Sequence, residues 1–218
     1  MSDDESSQFE SIEYHKKSFW TNFYLTRNKS IRNINWYFDI TKIKIDNFSL
    51  NNLSKDEAML LIGPGLSSIL DYLNNNNYDL VMIVDFCEEL INILSERYNN
   101  SWEIMPYDIT KKEFNKLSID FGVILDKGCL DCILLDKKEG EKNFIYALNI
   151  ILKSLKANGV FYYFSDAKLE DRISLFQKVP KIQYTVTIID LNKAMKEEYK
   201  EFNYEDNLYY LYTITREP

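Results

Sequence analysis

The chain alternates between short apolar runs and longer segments whose apolar residues have helical spacing. Met59–Ile62 is the first apolar run, and it stops at a glycine. Runs of four or five apolar residues are typical of strands that are buried on both faces of a sheet. The same pattern predicts strands over residues 59–62, 80–84, 102–105, 121–125 and 160–164, with helices over 67–73, 88–98 and 142–156. Two β-branched and aromatic runs, 184–189 and 208–213, predict a late antiparallel pair.

Regular alternation of strand and helix predicts an α/β fold with a parallel sheet covered on both faces. We therefore expect a Rossmann-like, seven-stranded, mostly parallel sheet with an antiparallel C-terminal strand pair. Asn158-Gly159 predicts a C-terminal cap that ends the helix 142–156. Residues 40–45 alternate less cleanly and fit either a strand or a helix.

The pattern divides one domain into a cover and a core. Residues 1–10 are acidic and polar and predict a disordered tail. Residues 11–218 predict a single domain, in which an aromatic-rich, helical N-terminal cover (11–55) precedes the Rossmann-like core (56–218). The charged stretch 190–206 predicts a solvated helix or loop.

The amino-acid composition limits the kinds of site and catalysis that this chain can support. The 218 residues are 45% hydrophobic and 28% charged, which is typical of a folded domain large enough to need no metal or disulfide for stability. A single histidine excludes multi-histidine metal sites and argues against histidine acid–base catalysis, so we predict no metal site. Cys129 and Cys132 form a lone C-x-x-C pair, which we interpret as two small buried residues at the start of a helix.

The charge and the hydrophobicity of the sequence indicate which partners the protein binds and where in the cell it is located. The net charge of −8 disfavours binding to phosphate backbones and favours a basic protein partner. The acidic start is unlike a signal peptide, and no apolar run approaches the roughly 20 residues of a membrane span. These features predict a cytoplasmic protein with no membrane association, and they leave its oligomeric state open.

The features that say most about a ligand are a glycine-containing loop and an aspartate at the end of the next predicted strand. Gly63-Pro64-Gly65 lies between a strand and a helix, where the backbone can approach a ligand closely. Asp85 follows about 20 residues later at the end of the next strand, where a carboxylate accepts hydrogen bonds from ribose, although a helix N-cap is the alternative role. The loop lacks the third glycine of a dinucleotide site, and Pro64 removes an N–H donor. S-adenosyl-L-methionine, with one ribose and one carboxylate, fits this pattern better than a dinucleotide.

Asp108 follows the third predicted strand. Its carboxylate suits the exocyclic amine of adenine, and the alternative is an ordinary turn aspartate.

Several segments carry a resemblance to a known family. Residues 126–131 read Asp-Lys-Gly-Cys-Leu-Asp and are similar to D/E-K-G-T-L-D, with Cys129 in place of threonine. Residues 62–67 are similar to the glycine loop V/L-G-C-G-N-S, and residues 102–105 to W-x-x-M-D, with Asp108 displaced by Pro106-Tyr107. Residues 19–24 and 35–37 are similar to Y-W-D-x-R-Y and D-W-F/Y. The chain thus resembles class I S-adenosylmethionine-dependent methyltransferases, in the methyltransferase-like branch that includes lysine methyltransferases of translation elongation factor 1-alpha.

The resemblance implies a protein-lysine methyltransferase that acts on a basic protein such as elongation factor 1-alpha, with no catalytic residue in the strict sense. The cofactor-binding residues it implies, together with those from the loop and strand ends, are Trp20, Tyr24, Trp36, Gly63, Gly65, Asp85, Phe86, Asp108, Ile109, Asp126 and Lys127. Lys127 would bind the methionine carboxylate, and Asp126 would orient the acceptor amine. The alternatives are a small-molecule or other methyltransferase, or a degenerate scaffold that binds a partner protein.

Overall fold

The computed structural model describes residues 13–26, 33–45, 48–98, 102–111, 119–179, 183–199 and 208–218. The predicted acidic tail, 1–10, lies outside the described residues. The strands are β1 (Met59–Ile62), β2 (Val81–Asp85), β3 (Glu103–Pro106), β4 (Phe121–Lys127), β5 (Leu155–Ser165), β6 (Tyr184–Asp190) and β7 (Tyr210–Arg216). The helices are α1 (Lys17–Thr26), α2 (Ser68–Asn75), α3 (Glu88–Arg97), α4 (Cys129–Leu134), α5 (Gly140–Ser154), α6 (Leu169–Phe176) and α7 (Asn192–Glu198).

The strands form one seven-stranded sheet in the order β3-β2-β1-β4-β5-β7-β6. β1 pairs in parallel with β2 and β4, so that Met59 lies between Val81 and Val123. β7 is antiparallel to both β5 and β6. The predicted fold, a mostly parallel sheet with an antiparallel C-terminal pair, is confirmed.

Both faces of the sheet are buried, which explains the unbroken apolar runs. Along β1, Met59 and Leu61 pack on one face while Leu60 and Ile62 pack on the other. The first face is covered by α2, α3, α7 and residues of the N-terminal cover. The second face is covered by α4, α5 and α6. Strand side chains alternate between faces, so a strand covered on both sides needs apolar residues throughout.

Two local predictions are wrong. α5 ends at Ser154, and Asn158-Gly159 lies within β5 instead of capping the helix. Asn158 does adopt the left-handed conformation typical of a cap, with φ 61°, but it does so where the register between β4 and β5 shifts. Residues 40–45 form neither a helix nor a strand; they turn and make one isolated bridge, between Ile45 and Phe48.

Within the described part of the predicted cover, α1 is the α-helix, and residues 33–38 run irregularly beside it. α1 lies against α3 through two polar contacts: Lys17 Nζ is 2.8 Å from Glu88 Oε1, and Thr21 Oγ1 donates to Glu89 Oε2 over 3.0 Å. Among the residues described, no helix combines the length and the apolar character that crossing a membrane requires.

Candidate functional site

A cavity of about 720 Å³ lies where β1, β2 and β4 end, with walls from α1, the 33–38 segment and the loop after β3. Ligand sites are generally of this size, and open parallel sheets bind ligands beyond the carboxyl ends of their strands. The structure brings nearly all of the predicted site residues to this cavity: Trp20, Tyr24, Trp36, Gly63, Gly65, Asp85, Phe86, Asp108, Ile109 and Lys127.

Asp126 is the exception. It is completely buried behind the cavity wall, where its Oδ2 accepts from the Leu130 N–H over 3.2 Å. Its Oδ1 has no hydrogen-bond partner among the described residues, and burial raises the pKa of the carboxyl group well above its usual value. The bond from the Leu130 N–H stabilises the turn into α4, and a role of Asp126 in orienting an acceptor amine stays a prediction.

The glycine loop is close to its neighbours on two sides. Gly63 and Gly65 have φ angles of 51° and 59°, a region that side-chain-bearing residues rarely adopt. A Cβ on Gly63 would lie 2.6 Å from Cys129 Sγ, and one on Gly65 would lie 3.2 Å from Tyr24 Oη. The loop therefore needs glycine both for its backbone conformation and for the space between α4 and the cover.

The side chain that caps the N-terminus of α2, the helix after the glycine loop, comes from the N-terminal cover. Asn35 Oδ1 accepts from the Ser68 N–H over 3.1 Å, and from the hydroxyl groups of Ser67 and Ser68. Ser67 occupies the N-cap position without making a side-chain cap bond of its own. The first amide of α2 is therefore already satisfied and is not open to an anionic ligand.

Asp85 stands at the end of β2 and faces the glycine loop. Its Oδ1 accepts from the Cys87 N–H over 2.9 Å, and its Oδ2 lies 3.8 Å from the position of a Cβ on Gly63. Cys87, not Asp85, occupies the N-cap position of α3, so the alternative N-cap role is wrong. Burial raises the pKa of the Asp85 carboxyl group to about 7, and Lys17 partly offsets this.

Asp108 serves as a turn residue on the cavity wall. Its Oδ1 accepts from the N–H and the hydroxyl of Thr110, over 2.9 and 2.6 Å. The neighbouring Ile109 is buried and also lines the cavity. The turn role weighed for Asp108 is thus observed, and it leaves the carboxylate on the same wall that was expected to hold adenine.

Aromatic rings form the wall opposite the strands. The Trp20 and Trp36 ring centroids are 5.3 Å apart at an interplanar angle of 80°, and Tyr24 stacks on Trp20 at 6.1 Å. Trp20 Nε1 donates to the Tyr14 carbonyl over 2.7 Å. Trp36 Nε1 is buried without a hydrogen-bond partner among the described residues, which leaves a donor on a cavity-lining side chain.

Lys127 lies on the cavity wall, but its ammonium group contacts the backbone of the cover. Its Nζ donates to the carbonyls of Trp36 and Phe38, each over 2.7 Å. Burial lowers the pKa of this amine to about 7, and Asp39 partly opposes the shift. The side chain expected to bind a carboxylate thus already has two carbonyl partners.

Sequence reasoning missed a buried network centred on Asp131. Its carboxylate accepts from Tyr37 Oη over 2.9 Å, from Ser165 Oγ over 2.9 Å and from the Tyr163 hydroxyl. Arg172 completes the network with its Nη2 at 2.6 Å and its Nε at 3.1 Å. The sequence signal was the Asp131 of the Lys-Gly-x-Leu-Asp segment, but its partners come from the cover, β5 and α6.

Cys129 and Cys132 are at the start of α4, as predicted, but both are only partly buried and both line the cavity. Burial raises the pKa of each thiol, that of Cys132 to about 12. Both therefore remain protonated at neutral pH, which argues against a nucleophilic role.

The cavity and sheet order together define the class I methyltransferase fold, and comparison with solved structures agrees. The plantazolicin methyltransferase BamL, solved with S-adenosylhomocysteine, superposes with a TM-score of 0.57 at 12% identity over 74% of this chain and 78% of that one. The N-methyltransferase NodS of Bradyrhizobium japonicum gives 0.51 at 12% identity, covering 73% and 77%. The [4+2]-cyclase SpnF gives 0.54 at 12% identity, covering 73% and 75%. These likenesses show the fold, and the cyclase illustrates that the fold alone does not determine the reaction.

Sequence comparison points to one branch of proteins with this fold. The chain is 29% identical over 132 residues to the eEF1A lysine and N-terminal methyltransferase of Mus musculus, and 29% identical over 137 residues to that of Bos taurus. The alignments cover 59% and 62% of this chain but 18% of each relative, so the chain spans a small part of their length. No family model matches the chain. The predicted class I fold and the resemblance to this branch are confirmed.

Proposed function

We propose that the chain binds S-adenosyl-L-methionine in this cavity and transfers its methyl group to an acceptor. The observation that carries the proposal is the meeting of Gly63, Gly65 and Asp85 at adjacent strand ends on one cavity, beneath a wall of aromatic rings. This is the arrangement that binds nucleosides in open α/β sheets.

The residues present fit the parts of this cofactor. Asp85 provides acceptor oxygens for ribose hydroxyls, and the side-chain-free glycine loop leaves room for the chain between ribose and methionine. Ile109 and Asp108 both line the cavity and supply an apolar surface and a carboxylate, which suits adenine. The unpartnered Trp36 Nε1 supplies a donor for a polar atom of the ligand.

The aromatic wall suits a positively charged centre. When bound, S-adenosyl-L-methionine supplies an electrophilic methyl group on a sulfonium cation. The faces of Trp20, Tyr24 and Trp36 attract such a cation, and their packing excludes water from it. The chain thereby contributes orientation, desolvation and electrostatics, and the cofactor contributes the reactive group.

We further propose that the acceptor is a lysine amine of a basic protein, with the eEF1A-directed relatives as the guide. A lysine attacks as the neutral amine, and an enclosed aromatic site lowers the pKa of an amine that enters it. The reaction then needs no histidine base, in keeping with the single histidine of the chain. The net charge of −8 favours approach of a basic protein. Cytoplasmic location remains a prediction that accompanies this substrate.

The test combines binding and transfer. Calorimetric titration of S-adenosyl-L-methionine and S-adenosylhomocysteine into the purified chain measures binding, and methyl-labelled cofactor incubated with eEF1A measures transfer. Asp85→Asn is expected to weaken binding about 10–100-fold, because hydrogen bonds to a charged acceptor contribute about 1.5–3 kcal/mol. Asp120→Asn is the matched control: Asp120 is exposed and precedes β4, at the opposite end of the sheet.

The outcomes separate the competing functions. Absence of cofactor binding at millimolar concentration would favour a scaffold that binds a partner protein. Binding without labelling of eEF1A, but with labelling of another protein or a small molecule, would retain the methyltransferase and replace its substrate. Equal affinities for wild type and Asp85→Asn would refute the assignment of the ribose site.

A further inference from the structure

A strained turn in the cover lies directly over the cavity. Tyr37 has a φ angle of 65°, and the Phe38 N–H donates to the Trp36 carbonyl over 2.8 Å. Together these describe a three-residue γ-turn of the rare, strained kind. A bulky residue in such a conformation costs of order 1–3 kcal/mol and persists only where its surroundings hold it.

Two side chains from residues 126–131, where β4 ends and α4 begins, hold this turn. Lys127 Nζ donates to the carbonyls on either side of Tyr37, those of Trp36 and Phe38, over 2.7 Å each. Tyr37 Oη donates to the Asp131 carboxylate over 2.9 Å. Both the backbone and the side chain of the turn are therefore attached to the same short segment of the core.

The glycine between these residues makes the contact sterically possible. A Cβ on Gly128 would lie 3.1 Å from the Tyr37 ring, so the ring packs directly over the backbone at this point. Asp131 is held in turn by Arg172 and Ser165, and its side chain is almost fully buried. The anchor for Tyr37 is therefore rigid, and the position of the turn follows from it.

The consequence for the cavity is the placement of Trp36. Its indole lies beside Gly65, about 4.0 Å from the position a Cβ would take there, and its Nε1 is a buried donor without a hydrogen-bond partner among the described residues. If Lys127 moved to bind a ligand carboxylate, the carbonyl of the buried Phe38 would lose this donor, and the Trp36 carbonyl would keep only the bond from the Phe38 N–H. The cost of unsatisfied buried acceptors disfavours that exchange.

We propose that Lys127 and Asp131 are positioning residues that hold the Tyr37 γ-turn and thereby fix Trp36 against the bound ligand, and that Lys127 does not bind the methionine carboxylate. This inference rests on the proposed cofactor site. It differs from the role that the family resemblance implied for Lys127, and the two roles predict different ligand dependence.

Two adenosyl ligands distinguish the roles. S-adenosylhomocysteine contains the amino-acid carboxylate, whereas 5′-methylthioadenosine keeps the adenosine and the thioether but lacks the amino-acid group. A positioning role predicts that Lys127→Met lowers the affinity for both ligands by a similar factor. That factor is about tenfold, the equivalent of one lost hydrogen bond to a charged group. Weaker S-adenosylhomocysteine binding with unchanged 5′-methylthioadenosine binding would overturn the proposal, as would unchanged binding of both.

Tyr37→Phe keeps the ring and removes the hydroxyl group that donates to Asp131, so it provides a second variant should Lys127→Met fail to fold. It is expected to weaken the binding of both ligands by a common, smaller factor. Weaker binding of one ligand alone, or unchanged binding of both, would contradict the positioning role.

Amide hydrogen exchange gives a readout that needs no ligand. We expect faster exchange in residues 33–40 of either variant and unchanged exchange in β6; unchanged exchange in 33–40 would also refute the inference.

If wild type binds neither ligand, the proposed function fails, and the exchange experiment still decides whether the two residues hold the turn. The two hypotheses can therefore fail separately.

Discussion

Replacing Gly63 with alanine is expected to lower the free energy of unfolding by about 2–5 kcal/mol. Gly63 lies in the loop between β1 and α2, with a φ angle of 51°. The added Cβ would meet Cys129 of α4 at 2.6 Å from Sγ and 2.8 Å from Cβ. Carbon atoms normally pack at about 3.5–4.0 Å, so either the loop or α4 must move.

The expected loss of unfolding free energy in Gly63→Ala has two parts. A side chain in the left-handed conformation costs about 1–2 kcal/mol. Overpacking of a buried contact costs about 1–3 kcal/mol more. Gly65→Ala is the matched comparison, because Gly65 has a similar φ of 59° but its nearest neighbour is a single hydroxyl oxygen at 3.2 Å. We expect Gly65→Ala to cost mainly the backbone part, about 1–2 kcal/mol.

A double-mutant cycle isolates the steric part. Cys129→Gly removes both atoms that the added Cβ at position 63 would meet, so Gly63→Ala should cost less in that background by about 1–3 kcal/mol. Urea unfolding followed by far-UV circular dichroism gives the four free energies. Additive costs, within about 0.5 kcal/mol, would refute the close contact between the glycine loop and α4.

Three further predictions concern polar side chains of the cavity and of the contacts behind it. Affinity for S-adenosylhomocysteine should fall as the pH drops below about 7, by up to tenfold per pH unit. The reason is that Asp85 has a pKa raised to about 7, and a protonated carboxyl group is a poorer acceptor. If calorimetry gives Asp85→Asn the same pH profile of affinity as the wild type, Asp85 is not the cause. Arg172→Met leaves the Asp131 carboxylate buried without its cation and should lower the free energy of unfolding by about 3–5 kcal/mol in urea titrations; a loss below about 1 kcal/mol would mean that the pair is solvated. Asn35→Ala removes the cap of α2 and should cost about 0.5–2 kcal/mol, whereas a neutral effect on thermal unfolding would show that water replaces it.

The fold could be predicted because its main signal is local. Each central strand is buried on both faces, so apolar runs such as Met59–Ile62 mark the strands directly, and the parallel direction of the central strands follows from their alternation with helices. Local signals failed where the same backbone conformation serves two purposes. Asn158 adopts the left-handed geometry that ends helices, but in this chain it lies inside β5, where the register with β4 shifts.

The cavity wall was predicted more completely than the contacts behind it. Asp85 and the glycine loop are recognisable because spacing along the chain places them at adjacent strand ends. Asp131 is different: its partners Tyr37 and Arg172 are 94 and 41 residues away in sequence, and no local pattern links them. Lys127 is a similar case: the family resemblance implies a ligand for it, but its backbone partners Trp36 and Phe38 are 91 and 89 residues away in sequence, and no local pattern links them.

Residues 126–131, where β4 ends and α4 begins, connect parts of the site that are distant in sequence. Asp126 caps the turn into α4, Lys127 holds the carbonyls of the cover, and Gly128 makes room for an aromatic ring of the same cover. Cys129 packs on the glycine loop, and Asp131 joins the cover to β5 and α6. Substitutions in this segment should therefore alter the shape of the cavity, while direct recognition of a nucleoside should depend on the ends of β2 and β3. A variant series across both regions separates these effects: changes in this segment should speed amide hydrogen exchange in residues 33–40, whereas changes at the ends of β2 and β3 should weaken nucleoside binding and leave that exchange unchanged.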